Sequence, residues 1–196
     1  MPVVLVIADS PARAAVAADT LRSAGIEAMA VADSANLVPD ALQAVPQAVL
    51  WLADAADATL AARLAALQAA CAVPVALVCA SIDDEALAAA LAAGLHACAI
   101  GAIGAAAPEL PALLRVARAR FAHEQNAQRE LDAARRRLDE RKLVDRAKGI
   151  LMRGRAMSED EAFGVLRSVS MQANQRVGQM SERVIEAARH ADAVNR

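Results

Sequence analysis

Five short apolar runs recur along residues 1–100, and they constrain the fold more than any other feature of the chain. The first reads VVLVIA at residues 3–8, a continuous run typical of a strand buried on both faces of a sheet. Alanine-rich helical stretches separate the runs, including a predicted helix at residues 37–45. This alternation predicts a doubly wound α/β domain with a five-stranded parallel sheet. The predicted strands are residues 3–8, 26–31, 48–52, 75–79 and 97–100.

Charge divides the chain into two parts of opposite sign. Residues 1–114 carry three arginines against eleven carboxylates, a formal charge of −8. Residues 115–196 carry eighteen basic and twelve acidic side chains, a formal charge of +6, which the overall value of −2 conceals. A basic part joined to an acidic part suggests that one end meets a polyanion and the other does not.

Residues 115–141 contain no Gly or Pro and are rich in good helix formers. They are expected to continue the last helix of the sheet domain into one long rod. The rod would link a domain at residues 1–114 to a helical module at residues 142–196. Polar residues interrupt its heptad pattern, so a dimeric coiled coil is favoured over a solvated helix without being required. The seam positions are Leu110, Leu114, Ala117, Phe121, Leu131 and Leu138.

Residues 140–176 combine apolar helical stripes, a capping box and many cations. Ser158 and Glu161 have the S-x-x-E spacing of a capping box, which predicts the start of a second helix. A third helix is predicted to begin with Asn174 as its N-cap. The result would be a small basic three-helix bundle. Its first helix carries an apolar stripe of Leu143, Ala147, Ile150 and Leu151, and its second is expected to bury Ala162, Phe163, Leu166, Val169 and Ser170.

Two sequences in this segment, RAKGILM at residues 146–152 and SEDEAFGVLR at residues 158–167, resemble the ANTAR domain of the AmiR and NasR transcription antitermination regulators. The resemblance continues through the third helix to about residue 193. It implies a regulator and not an enzyme. Members of this family bind paired hairpins in a nascent leader mRNA and prevent premature termination.

The candidate RNA contacts are the cations and amides of this bundle. Cations neutralise phosphates, while arginine planes and amides can reach the edges of unstacked loop bases. For any single arginine the alternative is a solvated helix face. Gly149 is a separate candidate, because a glycine inside a helix costs about 1 kcal/mol relative to alanine, so either another helix or RNA approaches closely there. The predicted RNA-binding residues are Arg146, Lys148, Gly149, Arg153, Arg155, Arg167, Gln172, Asn174 and Arg176.

The first part of the chain resembles a receiver domain of response regulators, whose site lies at the carboxyl ends of the strands. The residues that would perform receiver chemistry are largely replaced. Neither a set of Mg²⁺ ligands nor a cation beside Asp54 is predicted, so residues 1–114 are interpreted as a pseudo-receiver, with phosphorylation of Asp54 as the disfavoured alternative. The departures are Ser10 after Asp9, Leu52 at the predicted end of the third strand two residues before Asp54, Cys79 at the switch Ser or Thr, and Gly101 at the lysine.

A pseudo-receiver joined to this module is most similar to the NasT- and AmiR-like antiterminators. That resemblance implies a ligand-binding sensor protein, NasS- or AmiC-like, as the controlling partner, and a role in nitrate, nitrite or other nitrogen-source assimilation. A homodimer is expected because the family reads two hairpins. The alternatives are a phosphorylated response regulator that binds DNA, a phosphorelay member with true receiver chemistry, and a pure interaction module.

Several other classes of function are disfavoured by composition. Aromatic residues make up 2% of the chain, which excludes a base-stacking sheet, and the three histidines are too scattered for a metal or catalytic site. We predict no catalytic residues, no metal and no cofactor. Three cysteines without C-x-x-C spacing are typical of reduced core thiols in a cytoplasmic protein. The apolar stretch at residues 87–107 is interrupted by glycines and is not interpreted as a membrane span.

Overall fold

The computed structural model describes residues 3–32, 45–56, 58–101 and 109–194. The helix predicted at residues 37–45 lies outside the described residues, apart from Val45. The elements, in chain order, are β1 (Val4–Ala8), α1 (Pro11–Ser23), β2 (Ala28–Ala32), β3 (Ala48–Ala56), α2 (Ala58–Ala70), β4 (Val75–Ile82), α3 (Asp84–Ala92), β5 (Ala97–Ile100), α4 (Leu110–Arg155), α5 (Glu159–Gln172) and α6 (Val177–Val194).

The five strands form one parallel sheet in the order β2-β1-β3-β4-β5. This is the doubly wound 2-1-3-4-5 order found in flavodoxin and in receiver domains. The predicted fold class is therefore confirmed. In such folds the carboxyl ends of β1 and β3 lie at the point where the chain changes direction across the sheet, which is where ligands bind.

Each face of the sheet carries its own hydrophobic core. Along β1, Val4 and Val6 point to one side, and Leu5 and Ile7 point to the other. Helices α1 and α4 cover the first side, while α2 and α3 cover the second, where Trp51 is buried. Because both faces are covered, the buried portions of the strands are continuous apolar runs, and this is why they were recognisable in the sequence.

Strand β3 extends further than its apolar run predicted. Its first five residues, which end at Leu52, are buried, and the strand then continues to Ala56 beside β4. Asp54 therefore lies inside the strand and not two residues beyond its end. The apolar run marked the buried portion of β3, whereas pairing with β4 sets its length.

Helix α4 is a single helix of 46 residues, which confirms the predicted rod. The chain divides within it into two compact units, residues 1–126 and 127–196, called here the sheet unit and the helical unit. The first positions of the proposed heptad seam, Leu110, Leu114 and Ala117, pack against the sheet of their own chain. Leu131 and Leu138 are exposed. Any coiled-coil pairing, which stays a prediction, would therefore involve residues of the helical unit.

The helical unit packs the carboxyl half of α4 with α5 and α6 around a small core of Ala147, Leu166, Met180 and Ile185. On α5 the buried residues are Ala162, Leu166 and Ser170, one face at spacings of four. The prediction that Phe163 and Val169 would also be buried is wrong, because they are 43% and 41% exposed.

The connection from α5 to α6 also differs from the prediction. Asn174 has φ +50°, and its N–H donates to the carbonyl of Met171 at 3.2 Å. The N–H of Gln175 donates to the carbonyl of Ser170 at 2.9 Å. These two bonds form a Schellman motif, in which Asn174 is the left-handed residue that closes α5. Its predicted role as the N-cap of α6 is wrong, since that helix begins at Val177.

Candidate nucleic-acid interface

Five predicted arginines of the helical unit are exposed and uncompensated. Among the described side chains of residues 109–190, no carboxylate forms an ion pair with any of their guanidinium groups, so their charge is available to an anionic ligand. Three follow one another along the end of α4, one lies on α5, and one immediately precedes α6. They are Arg146, Arg153, Arg155, Arg167 and Arg176.

Lys148 differs from these arginines because its charge is already balanced. Its Nζ lies 2.7 Å from Asp145 Oδ1 and 2.6 Å from Glu159 Oε1, and its side chain is only 14% exposed. The hydrogen bond to Asp145, followed by that to Glu159, raises the pKa of Lys148. Lys148 thus ties α4 to the first turn of α5. Direct RNA contact by Lys148 stays a prediction, but this geometry gives it a structural role.

Gly149 faces an open groove. A Cβ added at this position would meet only Arg153 Nη1, at 3.6 Å, which is an ordinary contact. Among the described residues, therefore, no helix crosses closely enough to require glycine here. The groove has a volume of about 590 Å³ and is lined by Arg141, Val144, Asp145, Lys148, Gly149, Met152 and Glu159.

The turn between α4 and α5 is built as predicted on its α5 side. The Ser158 hydroxyl accepts from the Glu161 N–H at 3.3 Å, and Glu161 Oε2 accepts from the Ser158 N–H at 2.8 Å. These bonds complete the capping box, and the backbone hydrogen bond from Ser158 is the largest cause of the lowered pKa of Glu161. On the α4 side the helix breaks at Ala156, which has φ +50°. Arg155 is therefore presented at the edge of the turn, beside a second groove of about 550 Å³ that Gly164 also lines.

The remaining predicted contacts lie towards the end of α5. Gln172 is the last residue of α5, and Asn174 and Arg176 lie in the exposed connection to α6. The backbone N–H of Arg176 donates to Gln179 Oε1 at 3.3 Å. The predicted residues therefore occupy two regions, the end of α4 and the α5–α6 connection.

At the carboxyl ends of β1 and β3, Arg13 forms ion pairs with both Asp9 and Asp54, and sequence reasoning missed this residue. Arg13, in α1, places Nη1 2.8 Å from Asp9 Oδ1 and 2.9 Å from Asp54 Oδ1. The prediction that no cation lies beside Asp54 is wrong. The i, i+4 spacing of Asp9 and Arg13 was the signal that could have placed Arg13 beside the acids at the strand ends. Among the described residues, no three His, Cys, Asp or Glu side chains converge as metal ligands would.

Two glycines of the helical unit were also missed or misread. A Cβ at Gly178 would lie 2.8 Å from Glu140 Cγ, so the close approach of α6 to α4 occurs there and not at Gly149. Gly164 lies inside α5, where a Cβ would meet nothing within 4 Å. No helix in the described part of the chain is long and apolar enough to cross a bilayer.

The fold and these two sites define a class of protein: a receiver-like α/β domain, with an internal ion pair at its strand ends, followed by a basic helical unit. Residues 132–185 match the ANTAR domain family. The chain therefore combines a receiver-like α/β fold with a carboxyl-terminal segment that matches the ANTAR domain family. None of the curated proteins is similar to it in sequence.

Three solved structures show the range of similarity. A putative pilus assembly-related protein from Burkholderia pseudomallei is 17% identical, with 59% of this chain and 91% of that one covered and a TM-score of 0.48. The receiver domain of a modulated diguanylate cyclase from Desulfovibrio desulfuricans is 21% identical, with 60% and 96% covered and a TM-score of 0.46. The chemotaxis protein CheY4 from Vibrio cholerae is 16% identical, with 58% and 98% covered and a TM-score of 0.47.

Proposed function

We propose that this chain is an RNA-binding transcription antiterminator that binds paired hairpins in a nascent leader mRNA. The observation that carries the proposal is the set of uncompensated arginines, all of which lie within the segment that matches the ANTAR domain. A surface of this kind attracts a polyanion, since each arginine that neutralises a phosphate releases a condensed counterion. Binding to the leader would hold its hairpins in a form that excludes the terminator, and the protein itself performs no covalent chemistry.

The arrangement of the arginines around a groove suits a folded RNA, which can make close contacts there in addition to electrostatic ones. Arg146 and Arg153 lie on either side of Gly149 along α4, and the groove at Gly149 lets a ligand come close to the helix backbone. Phosphates can therefore engage the guanidinium groups while the strand lies against the groove. Planar guanidinium groups also stack on bases and donate to their edges, which suits the unpaired loop of a hairpin.

We propose further that a protein partner, and not phosphorylation, controls this activity. The Arg13 guanidinium already bridges Asp9 and Asp54, so the carboxylates that would hold Mg²⁺ are engaged by a side chain of their own domain. By resemblance, the partner is a ligand-binding sensor protein of the NasS or AmiC kind, and the pathway is nitrate, nitrite or other nitrogen-source assimilation. The regulator would act as a homodimer in the cytoplasm.

Binding measurements with matched variants test the RNA proposal. A fluorescein-labelled RNA carrying two hairpins is titrated with wild-type protein at several salt concentrations, in parallel with a DNA duplex of the same length. We expect Arg146→Ala and Arg153→Ala each to weaken RNA binding and to reduce the slope of log K against log salt by about one. Arg189→Ala, an exposed arginine on α6, serves as the control. Preference for the DNA duplex would overturn the proposal.

A mass measurement separates partner control from the phosphorylated alternative. The protein is incubated with acetyl phosphate and Mg²⁺, and its intact mass is determined. We expect no adduct, because Asp54 is paired with Arg13 and, among the described residues, no three His, Cys, Asp or Glu side chains converge to hold Mg²⁺. A phosphate adduct in the wild type that disappears in Asp54→Ala would refute control without phosphorylation.

A further inference from the structure

The helical unit exposes its one large aromatic side chain. Residues 127–196 contain a single Phe and no Tyr or Trp, and that residue, Phe163, is 43% exposed on α5. Burial of an aromatic ring is one of the largest stabilising contributions available to a small domain. The buried positions of α5 are instead occupied by smaller or aliphatic residues, among them Ala162, which precedes Phe163, and Leu166, which follows one turn later.

Phe163 is not among the described residues that form this core or are partly buried against it. The partly buried residues around the core are Leu143, Val144, Ile150, Leu151, Val177 and Val184. Phe163 lies at the margin of the buried face of α5. Leu166 occupies the centre of that face, between Ala162 and Ser170, and Phe163 lies about 60° around the helix from it.

The neighbours of Phe163 on the same flank of α5 are Glu159, one turn before it, and Arg167, one turn after it. Glu159 is bound by Lys148 at 2.6 Å, so its negative charge is compensated. Arg167 has no such partner among the described residues. Glu159 also lines the groove at Gly149, which places this flank beside the cationic end of α4.

An aromatic face one turn from an uncompensated guanidinium is complementary to a ligand that has both a planar ring and an anionic group. A second copy of this unit is a poorer match, since residues 127–196 carry fifteen basic and eleven acidic side chains and so repel another copy. An unpaired nucleotide supplies both groups: a base to stack and a phosphate to pair.

We propose that Phe163 is a stacking platform for an unpaired nucleobase, with Arg167 bound to a neighbouring phosphate. This inference rests on the proposed RNA-binding function and assigns to Phe163 the discrimination between looped and fully paired RNA. The arginines of α4 provide affinity for any RNA backbone, whereas Phe163 contributes only when a base is free to leave its stack.

The test compares two RNA probes bound by the full-length protein. One is a hairpin with a six-adenine loop that carries 2-aminopurine at one loop position, and the other is a fully paired RNA duplex of equal length. For Phe163→Leu we expect about a tenfold loss of affinity for the hairpin, unchanged affinity for the duplex and loss of 2-aminopurine quenching. Phe163→Trp should retain both preference and quenching.

Val169→Ala is the matched control, since Val169 has nearly the same exposure but lies on the other flank of α5. It should leave both affinities unchanged, and the melting temperature of Phe163→Leu should stay close to that of the wild type. Unchanged hairpin affinity in Phe163→Leu, or an equal loss for hairpin and duplex, would overturn the stacking role while leaving RNA binding intact. A change in oligomeric state would point to a protein contact and would also overturn it. Binding of neither probe by the wild type would instead refute the proposed function itself.

Discussion

At the scale of single residues, the helical unit contains glycines inside its helices that lower its stability, and the fold explains only some of them. Glycine inside a helix costs about 1 kcal/mol relative to alanine. At Gly178 the close approach of Glu140 supplies a structural reason. At Gly149 an added Cβ would find only an ordinary contact with Arg153 Nη1, and this glycine lines the groove at the end of α4. A ligand that approaches the helix backbone is a physical reason for such a glycine.

Gly149→Ala is therefore expected to stabilise the free protein and to weaken RNA binding. Thermal unfolding followed by circular dichroism should show the helical unit stabilised by about 1 kcal/mol. Hairpin RNA titrations should show a severalfold loss of affinity, because the methyl group fills the floor of the groove.

Gly164→Ala is the control for this pair of measurements. It should stabilise the protein to a similar extent, since its Cβ also enters open space, but leave the affinity unchanged. If Gly149→Ala bound RNA as tightly as the wild type, the glycine would have no role in ligand approach.

At the scale of elements, sequence patterns predicted the strands and the long helix correctly. They predicted individual residues wrongly where the same pattern fits two structures equally well. The strands were identified because both faces of the sheet are covered, and α4 because residues 115–141 contain no helix breaker. On α5, however, Phe163 fits the apolar period as well as its buried neighbours do, and only the packing of α4 and α6 decides between them. Asn174 could equally end one helix or begin the next. The ion pair of Arg13 with Asp54 joins residues far apart in sequence, so only the fold brings them together.

Helix α4 contacts a buried histidine of the sheet, His96, through its side chains Phe121 and Glu124. His96 is 3% exposed; its Nδ1 accepts from the Val75 N–H at 3.1 Å, and its Nε2 lies 3.5 Å from Glu124 Oε2. Phe121 meets the imidazole edge to face, with ring centroids 5.1 Å apart. An Nδ1 that accepts a hydrogen bond carries no proton, so this arrangement requires the neutral imidazole.

The stability of the sheet unit should consequently fall in mild acid. Burial lowers the pKa of His96 below its ordinary value of 6.5, and the Glu124 carboxylate opposes this only in part. The unfolded chain then binds more protons than the folded one below pH 6.5. The free energy of unfolding from this group is fully present above that pH and is lost towards the folded-state pKa, by at most about 1.4 kcal/mol per pH unit.

Urea titrations monitored by Trp51 fluorescence between pH 5 and 8 measure this dependence. His96→Asn, which can still accept from Val75 but does not titrate, should show a flatter profile over the same range. An identical slope in both proteins would show that His96 does not govern it.

At the scale of the whole molecule, two units with cores of very different size share one chain. The sheet unit buries both faces of five strands, whereas the described part of the helical unit has five buried hydrophobic residues. A small core supplies little net stability, since conformational entropy opposes folding in proportion to length. The helical unit should therefore unfold first, at a lower urea concentration than the sheet unit.

The chain supplies its own reporter for each transition. Trp51 is the sole tryptophan; it is buried in the sheet unit, with the guanidinium of Arg63 4.9 Å from its ring, so its fluorescence follows that unit. Ellipticity at the helical minimum follows both units. In a urea titration we expect ellipticity to begin falling before fluorescence changes, and Leu166→Ala to move only the early step. Leu50→Ala should move the fluorescence step, each substitution costing about 2–5 kcal/mol.

Hairpin RNA should shift the unfolding of one unit relative to the other, because it is expected to bind only the folded helical unit. A ligand that binds only the folded helical unit stabilises it by about 2.7 kcal/mol at a hundred times its dissociation constant. Saturating RNA should therefore shift the early ellipticity step to higher urea and leave the Trp51 step where it was. A shift of the fluorescence step instead would place the RNA on the sheet unit, and coincident curves without RNA would mean that the two cores unfold as one. Either result would contradict an RNA-binding unit that is marginally stable alone and is stabilised by its transcript.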